Sequence, residues 1–159
     1  MLYLFELLKL KCPALTPENT KIHLALEDGK SALDLFRDGC FEKFQSWQSQ
    51  KNFSRKFVVA LTPVPNASNT WVFLGAYQVL GKPEFISETM SYHYQFDEIK
   101  ALSDLEGRII IGYKRHFRQS YPNAETIADN LIIKEISEYP FHYNLPMRNI
   151  YYRRSEDKE

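Results

Sequence analysis

The run Trp71-Val72-Phe73-Leu74-Gly75-Ala76-Tyr77-Gln78-Val79-Leu80 constrains this chain most: half of it is β-branched or aromatic and nearly all of it apolar, with a glycine in its middle. Such a composition predicts a strand. Glycine inside a strand removes the side chain that resists a sharp bend, so it marks a bulge or a barrel corner. A sheet that bends in the middle of its strongest strand points to a small closed or nearly closed barrel. Along an unbulged strand Trp71, Phe73 and Tyr77 share one face, whereas a bulge at Gly75 turns Tyr77 to the other.

Helical spacing precedes the strands. Leu2, Phe5 and Leu8, with the Leu4/Leu7 pair, predict a buried amphipathic helix that Pro13 stops after Lys11. Residues 16–19 form a turn, and 21–26 alternate as a short strand closed by Asp28-Gly29. Ser31 caps a helix bearing Leu33, Leu35 and Phe36, which ends at Gly39 in a left-handed cap. A second helix is expected over 40–50, with Phe41, Phe44 and Trp47 along one stripe and Glu42, Gln45 and Gln48 on an exposed, amide-rich side. Further strands are expected at 56–61, 92–96, 108–113 and 131–136, with a helical turn over 101–105. The expected class is α+β, a curved β-barrel with flanking N-terminal helices.

A length of 159 residues suits a single domain, expected over 1–152, with a frayed charged tail over 153–159. Twenty basic residues balance twenty acidic ones, which excludes a polybasic binder of nucleic acid. Cys12 and Cys40 form at most one bridge and lie in no metal-ligand spacing, so a reducing, cytoplasmic setting is expected. The apolar start over 2–10 contains Glu6 and Lys9 and is far shorter than the ~20 residues that span a bilayer, so no membrane partner is expected. His23, His93, His116 and His142 are scattered, and Asp97/Glu98 and Asp104/Glu106 read as loop charges. Gly107 and Gly112 bracket a strand and form no phosphate loop, and no serine sits in a nucleophile elbow. The expectation is a protein that is not an enzyme, with no catalytic residue, metal or cofactor. A small hydrolase using His116 ranks last.

Charge becomes informative by position. Residues 107–124 contain Arg108, Lys114, Arg115, Arg118 and His116 and no acid, interleaved with Tyr113, Phe117 and Tyr121. Cations neutralise phosphates while aromatic rings stack on bases at ~1 to 3 kcal/mol each, a pairing that suits nucleic acid. Arg108, Lys114, Arg115 and Arg118 are the expected phosphate contacts. Trp71, Tyr77, Tyr92, Tyr94, Tyr113 and Tyr121 are the aromatic candidates for a base pocket. A reading of a different class has the Phe44/Trp47 helix dock on a protein partner through Gln45, Trp47 and Gln48.

Several blocks carry a family resemblance. Residues 40–50 (Cys-Phe-Glu-Lys-Phe-Gln-Ser-Trp-Gln-Ser-Gln), the strand 56–61, Phe73-Leu74-Gly75-Ala76-Tyr77-Gln78-Val79 and Asp104-Leu105-Glu106-Gly107-Arg108-Ile109-Ile110-Ile111 resemble the region preceding the catalytic domain in bacterial GIY-YIG nuclease family proteins. The resemblance spans roughly residues 20 to 138. The Phe-x-Gly-x-Tyr-x-Val strand also resembles a barrel strand of PUA-like domains, which include the EVE, YTH and SRA readers of modified nucleic acids. That likeness implies a curved PUA-like barrel with a pocket for an extruded base. The chain contains no Gly-Ile-Tyr followed by Tyr-Ile-Gly, and Ile111-Gly112-Tyr113 is a coincidence of letters in a strand. The resemblance therefore implies an accessory DNA reader without its nuclease, with double-stranded DNA as its partner and a nuclease or other protein as a further one.

Overall fold

The computed structural model describes residues 1–26, 31–115 and 118–140. The expected Asp28-Gly29 turn, His116, Phe117, His142 and the tail over 153–159 lie outside the described residues.

The N-terminal helix α1 spans Leu4–Lys11 and buries Leu4, Phe5 and Leu8, as its spacing predicts. Glu6 reaches back to the Tyr3 amide (2.9 Å) and so satisfies a donor at the helix start. The predicted turn is one 3-10 turn, Pro17–Asn19, leading into β1, Thr20–Leu24. Helix α2, Ala32–Arg37, begins where the Ser31 hydroxyl accepts from the Leu33 amide, and Gly39 takes the left-handed φ of +73° just after it.

Helix α3 is shorter than expected. It covers Phe41–Ser46, after which Trp47–Gln48 form a two-residue strand, β2. The Ser46 hydroxyl donates back to the Lys43 carbonyl, and Trp47 turns extended to pair with His93. Phe41 is buried and Glu42 exposed as expected, but beyond them the faces are exchanged: Gln45 and Gln48 are 0% and 6% exposed, while Phe44 and Trp47 are each 39% exposed. Helical periodicity reports which residues share a side, and here hydrogen-bond partners inside the fold drew the amides inward.

The sheet is built from β1, β2, β3 (Phe57–Pro63), β4 (Thr70–Ile86), β5 (Ser91–Glu98), β6 (Ile109–Gly112) and β7 (Ile132–Ile136). Its order is β1-β3-β4-β5-β2, with β6 on β4 and β7 on β6; β1 and β3 are parallel and the other pairs antiparallel. The 3-10 turn Lys100–Leu105 and the short helix α4, Ala124–Ile127, complete the α part. The sheet curls into a half-barrel, so the molecule is α+β with a curved, barrel-like sheet.

Gly75 is the bend. Ala60 pairs with Gly75 but Leu61 pairs with Phe73, leaving Leu74 as the extra residue of a bulge. Trp71 and Phe73 enter one core with Leu4, Leu8 and Ile22, whereas Tyr77 enters a second with Leu33, Phe41 and Leu74. The bulge has turned Tyr77 over. Strand β4 also runs past its expected end at Leu80, through Gly81 and Pro83. Leu80 pairs with Gln95 and Glu84 with His93, so Pro83 sits in a second irregularity, where its lack of an amide hydrogen costs no ladder bond.

Candidate functional site

Among the described residues no strand pairs with the outer edge of β1. Residues 120–123 run along it instead: the Ile22 amide donates to the Pro122 carbonyl (3.0 Å), the Leu24 amide to Ser120 (2.9 Å), and Lys21 Nζ to the Tyr121 carbonyl (3.1 Å). This strap holds the Tyr121 ring on the His23 ring, with centroids 5.1 Å apart and planes 14° from parallel. Phe41 also stacks on His23 at 5.9 Å, and Phe53 meets it edge-on at 5.5 Å.

His23 is buried, and its Nδ1 lies 2.8 Å from Gln45 Oε1. Burial lowers the imidazole to about 4, with the Gln45 hydrogen bond pulling the other way. It is therefore neutral at pH 7. With Gln45 Oε1 opposite Nδ1, the tautomer that satisfies this contact carries its proton on Nδ1 and leaves Nε2 as the acceptor. Gln48 continues the network: its Nε2 donates to the Gln45 carbonyl (2.7 Å), and its Oε1 accepts from Tyr121 Oη (2.6 Å) and Asn52 Nδ2 (2.8 Å). These groups border a cleft of about 450 Å³ lined by His23, Phe44, Trp47, Gln48, Ser120 and Tyr121 among others. Trp47 stands at it half-exposed, its ring 4.4 Å from that of His93.

The six expected pocket aromatics do not share one pocket. Tyr92 and Tyr121 gather with buried Tyr94 around Phe53, and Tyr94 Oη accepts from the Phe53 amide (3.2 Å). Trp71 and Tyr113 belong to the main core, where Trp71 Nε1 donates to the Tyr113 carbonyl (3.0 Å). Tyr77 lines a different cavity. Of the cations, Arg108 donates to the Ser137 and Asp104 carbonyls (2.7 and 2.9 Å), which ties it to the backbone. Lys114 lies exposed beside Lys134, Arg115 is half-buried and engaged near Tyr113, and Arg118 is exposed two residues before Ser120.

The cleft thus joins one pocket candidate, Tyr121, with two docking candidates, Trp47 and Gln48, and Gln45 supports them from beneath. His23 is the site residue with the weakest signal in the sequence. Its alternation opposite Ile22 and Leu24 was a signal that it leaves the main core, but the partners that make it a fixed acceptor come from segments far along the chain. Among the described residues no helix is long and apolar enough to cross a membrane, and both cysteines are free thiols. Compared with protein-family models, curated proteins and solved structures, this chain finds no match.

Proposed function

We propose that this chain is a nucleic-acid-binding module that takes an extruded or modified base of DNA into the cleft between Trp47 and Tyr121. The observation that carries the reading is the cleft itself: about 450 Å³ in volume, walled by rings from three separate segments and bordered by amide and hydroxyl groups from two of them. Rings supply stacking area at ~1 to 3 kcal/mol per base, and His23, Gln48 and Ser120 bring polar side chains to the cleft for a base edge. Arg118 and Lys114 supply positive charge for phosphate without raising the net charge of the whole chain.

Anisotropy titration of a labelled single strand and a labelled duplex at low salt tests the reading. Expected are saturable binding that weakens with salt and a loss of roughly 5- to 150-fold in Trp47→Ala, the range that one lost stack implies. Absent binding, or binding indifferent to Trp47→Ala, removes it. The half-exposure of Phe44 and Trp47 also favours a second reading, a docking site for a protein partner. Recovery of one stoichiometric protein partner by the wild type and not by Trp47→Ala, with no nucleic acid bound, would favour that reading.

A further inference from the structure

A second cavity, of about 370 Å³, opens between the α2–α3 pair and the 3-10 turn Lys100–Leu105. Phe36 and Phe41 form apolar walls, and Glu42, Glu98 and Glu106 bring carboxylates from three separate elements. Arg37 also lines the cavity and is engaged within the fold. Two further observations distinguish this place from a solvated acidic surface. Tyr77 is 3% exposed and faces the cavity, with no hydrogen bond from its Oη among the described residues. Glu106 Oε2 is fully shielded and meets no hydrogen-bond donor among the described residues, and the carboxyl's hydrogen-bonding neighbour is the Glu98 carboxylate.

We propose that this cavity binds a ligand through a guanidinium group. Carboxylates beside aromatic walls match that cation closely: it is planar, weakly hydrated, carries N–H donors in a fixed fork, and rests on ring faces. Glu106 and the Tyr77 hydroxyl are the acceptors in the interior, and Glu42, the exposed member, guides the cation at the mouth. A bare metal ion fits less well, since among the described residues no three such side chains converge as ligands.

Binding is linked to a proton. Glu106 faces Glu98, Glu42, Tyr77 and Arg37, and burial with the neighbouring carboxylates holds its proton to about 8. Entry of a cation releases that proton to solvent, so affinity rises from about pH 6 to pH 8.

The test is titration of the isotope-labelled full chain with methylguanidinium and with N-acetylarginine methylamide, using N-methylurea and magnesium chloride at matched ionic strength as comparators. Saturable shifts are expected at the Glu42, Ser103 and Glu106 amides, at least tenfold tighter than for methylurea and unaffected by magnesium. Glu42→Gln, an exposed position, is expected to weaken binding fivefold or more, and Tyr77→Phe by a smaller factor. Equal affinity for the two guanidines identifies a free small molecule as the source; tighter binding of the arginine derivative identifies a peptide side chain. No saturable shift, equal response to methylurea, or unchanged affinity in both variants overturns the proposal. DNA binding through the Trp47 cleft bears on none of these outcomes.

Discussion

Glu106→Gln converts a buried electrostatic cost into a slope that unfolding experiments read. In the folded chain the carboxyl keeps its proton to about 8, pushed there first by burial and then by Glu98 and Glu42, against 4.5 for an unperturbed glutamate. Between those values the folded state holds a proton that the unfolded state has released. The stability this contributes is complete below 4.5, declines as pH rises, and is gone above about 8. At ~1.4 kcal/mol per pH unit the loss is bounded at about 5 kcal/mol, and solvent reaching the half-buried carboxyl reduces it to about 2 kcal/mol. The glutamine variant fills the same space and does not titrate. Urea unfolding from about pH 5 to pH 9 is expected to show the variant equal to the wild type at the acid end and about 2 kcal/mol more stable at the alkaline end. Because every other titrating group is common to both proteins, only Glu106 and the groups coupled to it survive in the difference. A difference that stays flat across this range refutes the argument.

Three further outcomes follow from the same geometry. A Cβ on Gly75 would lie 2.9 Å from Tyr77 Oη and 3.3 Å from Glu106 Oε2, at a φ of +153°, so Gly75→Ala is expected to cost roughly 1 to 3 kcal/mol in urea unfolding. His23 is lowered by burial from 6.5 to about 4, so its contribution to stability is present above 6.5 and is lost as pH falls towards 4; acid unfolding of His23→Phe should show a shallower decline over that window. Leu8 is fully buried in the main core, and Leu8→Ala should cost about 2 to 5 kcal/mol, visible as a lowered thermal midpoint.

Much of the fold is legible in local chemistry. The Ser31 cap, Gly39, the α1 stripe and the bend at Gly75 each follow from one residue's own conformational demands, and all stand where the sequence places them. Strand β2 was not legible, because Trp47 fits a helical stripe equally well and only its pairing with His93 makes it extended. The run of β4 past Leu80 was not legible either, because Pro83 is tolerated there only by the irregularity opposite Tyr94, which removes the need for its amide. The cleft was half legible: Tyr121, Trp47 and Gln48 stood out by type, but their assembly depends on contacts up to 100 positions apart in sequence, such as Lys21 to Tyr121. The acidic cavity was hidden altogether, since Glu98 and Glu106 fall in two separate acidic pairs that read as loop charges and meet only where β5 ends beside the turn.

The strap along β1 makes the Ile22 and Leu24 amides reporters of the cleft. Both donate to carbonyls of the strap, so neither exchanges its hydrogen with solvent until residues 120–122 lift away from the strand. Their exchange rate measures how often the cleft comes apart, without any label placed in it. A molecule held between Trp47 and Tyr121 must leave before that opening occurs, so it slows exchange at these two positions in proportion to its occupancy. Two backbone hydrogens bonded to the strap thereby read out occupancy of the pocket.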